Sequence, residues 1–252
     1  MLEISRLQLV SGQKILLNDI NLKLKCGHCI GILGANGAGK SSLLKAIGQD
    51  LPYTGKILWQ QKPLASFSAR ELAENMVFLP QHSSLNFAFM VQEVIELGLI
   101  HHQQHLSRSQ QQRLLAQVSA DFELSDLQQQ NYLKLSGGEK QRVHAARSWL
   151  QILSSPTPKI VLLDEPSSAL DLKHQHDLLQ QAVKLAEAQH LVLIVLHDLN
   201  LAARYCDRLL LLQQGNLFGY GTTADMLTAQ SIDELYHYQT EVYQYKNQIR
   251  IL

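Results

Sequence analysis

The eight residues Gly34-Ala35-Asn36-Gly37-Ala38-Gly39-Lys40-Ser41 constrain this chain more than any other stretch, because of what stands on either side of them. Ile30 to Leu33 reads as a short buried strand, and Ser41 to Ile47 as a helix that turns Leu43, Leu44 and Ile47 inward before Gly48 ends it. Strand, glycine loop and helix in this order build a phosphate-binding loop. The glycines let successive backbone N–H groups converge on phosphate oxygens, and the helix N-terminus adds positive potential. Lys40 then reaches the β and γ phosphates of a nucleotide, and Ser41 offers its hydroxyl to Mg²⁺.

Such a loop needs a sheet behind it. Ile160 to Leu163 and Leu191 to Leu196 are buried strands separated by a polar-faced helix over about 173–189, which predicts a parallel sheet covered on both faces. Ile4 to Val10 and Ile15 to Leu24 alternate as strands around the turn Ser11-Gly12 and predict an antiparallel edge. From about Val91 to Leu153 the chain is glutamine-rich and helical in pattern, with no strand signal, so an α-helical subdomain is inserted there. Leu209 to Leu212 and Leu217 to Tyr220 form a hairpin with Gly215 at its turn. The expectation is one α/β domain: core over about 1–90 and 154–228, insertion over about 91–153, tail over about 229–252. With 252 residues, 46% of them apolar, the chain has ample material for that core.

Ile160-Val161-Leu162-Leu163 runs directly into Asp164 and Glu165, so both carboxylates reach the carboxyl edge of the sheet beside the phosphate loop. One acid there holds Mg²⁺ through water while the other polarises an attacking water. His197 follows the next buried strand and projects at the same edge.

A second glycine turn, Leu135-Ser136-Gly137-Gly138-Glu139, poses a question. Ser136 with Glu139 three residues on is a capping box, and the helix it starts places Val143, Ala146 and Leu150 on an inner face. Gly137 and Gly138 at its first turn also expose N–H groups to an anion, and Ser136 adds a hydroxyl. If the helical insertion holds the two turns apart, one chain cannot close both on one ATP. Two chains arranged head to tail can, each lending its second turn to the other's nucleotide.

With these residues in place the sequence resembles the ATP-binding cassette (ABC) ATPases over about residues 2–228. The phosphate loop, Gln81 in Leu-Pro-Gln-His, LSGGE, Leu-Leu-Asp-Glu-Pro, the loop Ser168-Ala169-Leu170-Asp171 and His197 occur in that family's order. The resemblance implies a P-loop NTPase (RecA-like) core with an antiparallel β edge and an inserted α-helical signature subdomain. It implies Glu165 as general base, His197 as switch histidine, and Gln81 as the link from the Mg²⁺ site to the helical subdomain. ATP would lie between Gly34 to Ser42 of one copy and Ser136, Gly137, Gly138 and Glu139 of its mate, with Asp171 at the junction. Ser41, Gln81 and Asp164 would serve Mg²⁺. Two departures stand out: no Trp, Tyr or Phe lies between Met1 and Leu51, where the family stacks an aromatic on adenine, and the loop ends Ser41-Ser42 rather than Ser-Thr.

Residues 79–98 and 197–212, with a tail ending Ile-Arg-Ile-Leu, are most similar within the family to the iron-chelate and corrinoid importers, and among these to bacterial hemin importers. That implies two transmembrane permease subunits and, indirectly, a periplasmic binding protein as partners, with vitamin B12 or a ferric siderophore as other possible cargoes. It also implies a peripheral position on the cytoplasmic face of the inner membrane. The segment Asn86-Phe87-Ala88-Phe89-Met90 would meet the permease, although the family often has Thr in place of Met90.

Composition agrees by exclusion. Lysines and arginines number 22 and acids 22, so there is no global field drawing the chain onto nucleic acid, which argues against a soluble cassette serving that polymer. The longest apolar run, Leu191 to Leu196, is far below the roughly 20 residues of a membrane span, and the N-terminus lacks a secretory pattern. Cys26-Gly27-His28-Cys29 has redox spacing but sits between strands rather than at a helix start, and remote Cys206 completes no zinc site. His101, His102 and His105 among glutamines read as a solvated face.

Overall fold

The computed structural model describes residues 1–83, 85–101, 106–245 and 248–252. Strands β1 (Leu2–Ser11) and β2 (Lys14–Leu24) pair antiparallel, with Leu2 opposite Leu24 and Val10 opposite Ile15. After Gly27, whose φ of 84° makes the bend, β3 (His28–Leu33) runs into the phosphate loop and α1 (Lys40–Ile47) leaves it. Gly48 caps the end of that helix, as expected. It stays right-handed, and Gln49 takes the left-handed position at φ 63°.

Three strands lie in a region that the apolar pattern left unassigned. β4 (Thr54–Trp59) and β5 (Lys62–Pro63) complete an antiparallel sheet of order β2-β1-β4-β5. Helix α2 (Ala69–Asn75) then leads into β6 (Met76–Leu79), the far edge of the second sheet. The helical region follows as α3 (Val91–Glu96), α4 (Arg108–Asp121) and α5 (Gly137–Leu153), joined by short turns. Its core includes Phe122 edge-on to Trp149, with ring centroids 5.3 Å apart.

The chain returns through β7 (Ile160–Asp164), α6 (Leu172–Glu187), β8 (Leu191–Val195), α7 (Leu199–Tyr205), and the hairpin β9 (Arg208–Gln213) with β10 (Asn216–Thr222), whose turn holds Gly215 at φ 81°. The second sheet has order β10-β9-β3-β8-β7-β6, parallel except for its hairpin edge. Alternate residues of β7 enter opposite cores: Ile160 and Leu162 face the antiparallel sheet, and Val161 and Leu163 face the helices. That two-sided burial is why these strands are apolar at every position.

The tail is built rather than loose. α8 (Thr223–Met226) and α9 (Ala229–Tyr236) are followed by a small hairpin of β11 (Val242–Tyr245) and β12 (Gln248–Ile251) that meets α7. Among the described residues no helix is long and apolar enough to cross a membrane.

Candidate active site

The phosphate loop is held open by a network from its own neighbours. Ala38 N–H donates to Ala35 at 3.1 Å, Leu43 N–H to Gly39 at 2.9 Å, and Gly215 N–H to Ala38 at 3.0 Å. Gly39 has φ 105°, and a Cβ there would stand 2.8 Å from the Leu16 carbonyl, so strand β2 forbids any side chain. Lys40 is buried, and its ammonium donates to the carbonyls of Gly34 at 2.7 Å and Ala35 at 3.1 Å. Burial pulls its pKa below the ordinary lysine value, and the carboxylates of Glu165 and Asp164 oppose that shift. Ala35, Asn36 and Gly37 face solvent, while Ser42 is half-buried on α1.

Facing the loop, Asp164 ends β7 at 2% exposure and accepts the Ser41 hydroxyl at 3.0 Å. Burial raises its pKa, the Ser41 hydrogen bond lowers it, and the nearby Glu165 charge raises it further. The donor set offered here is oxygen only, hydroxyl and carboxylate, which suits a hard Mg²⁺ ion.

Glu165 comes next in a left-handed conformation, φ 48°, unusual for a residue with a side chain. Both carboxylate oxygens are engaged. Gln81 Nε2 donates to Oε2 at 2.7 Å, and His197 Nε2 lies 2.5 Å from Oε1. The sheet order explains the meeting, since β6, β7 and β8 lie side by side and Gln81, Glu165 and His197 each follow the end of one of them. Gln81 thus contacts the expected base rather than the Ser41–Asp164 pair.

The second glycine turn forms as the capping box required. Ser136 Oγ accepts the Glu139 N–H at 3.3 Å and donates to Glu139 Oε2 at 2.7 Å, and the same oxygen accepts the Ser136 N–H at 2.8 Å. Val143, Ala146 and Leu150 are fully buried beneath it. Gly137 faces open space. The turn is moored to its own chain at the loop after Glu165: Gln141 Nε2 donates to the Pro166 carbonyl at 3.2 Å, and a Cβ on Gly138 would stand 3.1 Å from the Ala169 carbonyl. Asp171 caps α6 by accepting from the His174 N–H at 3.0 Å. Among the described residues, no hydrogen bond joins residues 34–42 to residues 136–139.

A family model described as "ABC transporter" matches residues 17–168. The chain belongs to the ABC transporter family. It is 44% identical over 245 residues to the hemin import ATP-binding protein HmuV of Shewanella denitrificans, covering 96% of this chain and 95% of that one. Its backbone is similar to a metal-chelate type ABC transporter in an inward-facing conformation, with TM-score 0.78, 26% identity, and 100% and 96% of the two chains covered. It is also similar to an ATP-binding cassette whose dimeric post-hydrolysis structure holds ADP and Pi, with TM-score 0.76, 25% identity, and 88% and 99% covered. The fold is the ABC ATPase fold, and ATP hydrolysis is this family's activity.

Two contacts of this ABC ATPase escaped the motif pattern. Tyr236 accepts the Gly34 N–H at 3.0 Å from a helix 202 positions away, a separation no local signal bridges. Gln141 lies two residues beyond LSGGE and is buried against Pro166, on the side of the helix away from Val143, so the apolar phase did not flag it either. Of the segment expected to meet the permease, Phe87 stands out at 70% exposure, while Phe89 packs on the core. His101 is exposed, and His102 and His105 lie outside the described residues. Cys26, Cys29 and Cys206 are free thiols, and no metal-binding group of three or more His, Cys, Asp or Glu occurs among the described residues.

Proposed function

We propose that this chain is the ATPase subunit of an importer for an iron chelate, hemin, and that it works as a homodimer closing around two molecules of ATP. The observation that carries the cargo is the 44% identity to a hemin import ATP-binding protein over nearly the full length of both chains. Two permease subunits would span the membrane, a periplasmic binding protein would deliver the chelate, and this chain would sit on the cytoplasmic face of the inner membrane. Phe87, exposed beside the Gln81 segment, suits the permease socket.

The chemistry follows from the carboxylate clasped between Gln81 and His197. Backbone N–H groups of the loop and Lys40 hold the β and γ phosphates, which requires Lys40 to leave the carbonyls of Gly34 and Ala35. Glu165 takes the proton of the water that attacks the γ phosphorus, the bond to the bridging oxygen breaks, and ADP departs. His197 orients the carboxylate and the water. Ser41 and Asp164 would hold Mg²⁺, which would supply charge neutralisation to the phosphates when bound. Ser136, Gly137 and Gly138 of the second copy complete the γ-phosphate cradle. Reopening after hydrolysis passes motion to the permease.

Growth on hemin as sole iron source, with and without this chain, tests the cargo. Loss of growth that the wild-type chain restores supports the reading, and unchanged growth overturns it. Purification from detergent-solubilised membranes tests the partner: a copurifying polytopic permease supports transport, whereas copurifying nucleic acid supports a soluble cassette.

A further inference from the structure

The motifs of the site account for residues up to His197, yet two ends of the tail return to it. Tyr236, the last residue of α9, accepts the N–H of Gly34 at 3.0 Å, and Gly34 is where β3 becomes the phosphate loop. Gly34 sits at φ 149°, closed on one side by the Leu212 carbonyl, so its N–H direction sets how the loop begins. Burial raises the Tyr236 pKa, and the Gly34 N–H opposes the shift, so the hydroxyl stays neutral. Gln213 Nε2 donates to the Glu234 carbonyl at 2.8 Å and fixes α9 against the end of β9. Ile232 and Leu235 are buried in the core on the same helix.

The second return is at the histidine. Asn200 uses its side-chain amide as a strand partner: Nδ2 donates to the Ile251 carbonyl at 3.1 Å, and the Ile251 N–H donates to Oδ1 at 3.0 Å. Asn200 lies three residues after His197, in the first turn of α7, whose cap Asp198 accepts the N–H groups of Asn200 and Leu201. Val242, Ile249 and Ile251 pack on the core beside Leu199 and Leu201. One segment therefore touches the start of the phosphate loop and the helix that begins two residues after His197, two elements joined otherwise through β3 and β8.

We propose that residues 229–245 and 248–252 act as a strap across the ATP site, with Tyr236 as a positioning residue for the phosphate loop and Asn200 as a positioning residue for His197. Tyr236 sets nucleotide affinity through the loop entrance. Asn200 sets the hydrolytic step by fixing where α7 begins. The inference rests on residues 34–42 binding the ATP phosphates.

The test compares Tyr236→Phe, Asn200→Ala and Lys40→Ala in the full chain. Displacement of a fluorescent ATP analogue by ATP, steady-state phosphate release and thermal melting are measured for each. Tyr236→Phe keeps the ring and loses only the acceptor, so a roughly 3- to 10-fold rise in both Kd and KM for ATP is expected, with kcat within about twofold. Asn200→Ala should lower kcat by a similar factor with Kd within about twofold. Variants that melt earlier but keep wild-type KM and kcat would reduce the strap to a structural tail and overturn the proposal. So would equal loss of kcat in both variants with KM unchanged. Lys40→Ala separates the two levels: if it binds ATP normally, the phosphate-loop reading falls. If it loses ATP while Tyr236→Phe matches wild type, only the strap falls.

Discussion

His197 Nε2 lies 2.5 Å from Glu165 Oε1, while the other oxygen of that carboxylate is held by Gln81 at 2.7 Å. Groups following the two flanking strands thus converge on the carboxylate that follows the strand between them, at a residue whose backbone is itself left-handed. Such strain persists where the surroundings over-determine it, as at functional sites. Glu165→Gln keeps the size but turns one accepting oxygen into a donating amide, and it cannot take up a proton. Phosphate release is expected to fall at least about 100-fold, the scale of general-base catalysis, with ATP binding retained. Gel filtration with ATP should show the variant trapped as a dimer. Normal turnover would remove Glu165 from the role of base.

Shared sites make a sharper demand, tested by mixing. In a Lys40→Ala homodimer both loops are defective, and in a Ser136→Arg homodimer both signature turns are blocked. A mixed dimer rebuilds one intact site, from the loop of the Ser136→Arg copy and the turn of the Lys40→Ala copy. Equal mixing should recover about a quarter of wild-type phosphate release, since about half the dimers are mixed and each has one of two sites. Recovery no greater than the sum of the parents would mean that each chain hydrolyses ATP alone.

How much of this was legible in the sequence depends on whether the signal is local. The phosphate loop, the β7 acids and the Ser136 capping box are short patterns whose spacing carries the geometry, and each stands where the pattern put it. β4 and β5 were not read, because β4 opens on Thr54-Gly55-Lys56 with no apolar residue before Ile57 and β5 spans only Lys62–Pro63; β6, Met76–Leu79, is as long an apolar run as those read at Ile30 to Leu33 and Ile160 to Leu163 and was missed. The segment 86–90 carries no regular period, so which of its aromatics turns inward is decided by packing on the core. Tyr236 on Gly34 is a tertiary contact between residues that share no pattern.

Stability should respond to pH through His144, about two turns into the signature helix. Its Nε2 meets the buried Tyr132 hydroxyl at 2.7 Å, and it is 1% exposed. Burial, with a smaller contribution from the Arg147 charge, lowers its pKa from 6.5 to about 4. The unfolded chain takes up the proton first as pH falls. The contribution is therefore complete above pH 6.5, is lost progressively down to about pH 4, and changes no further below that. The full difference is on the order of 3 kcal/mol, and it should appear as a falling melting temperature across that window. His144→Gln should flatten that part of the curve. An unaltered pH slope in the variant would assign it to other groups.

Phe87 and Phe89 separate an exposed ring from a packing contact within three residues. Their rings meet edge to face at 6.2 Å, but Phe87 is 70% exposed whereas Phe89 is partly buried against the helical core. The Phe89 N–H also closes a tight turn onto the Phe87 carbonyl at 2.9 Å, and the Phe89 carbonyl accepts the Tyr132 N–H at 2.8 Å. Phe89→Ser should thus cost roughly 2 to 3 kcal/mol by lost burial and loosen the approach to the signature helix. Phe87→Ser removes a side chain that touches little of its own chain, so melting should stay within about 0.5 kcal/mol of wild type and ATPase activity of the isolated chain should hold. What should fail is copurification with the permease and stimulation by it. If Phe87→Ser still copurifies at wild-type yield while Phe89→Ser does not, the docking surface lies elsewhere and the exposed ring is incidental.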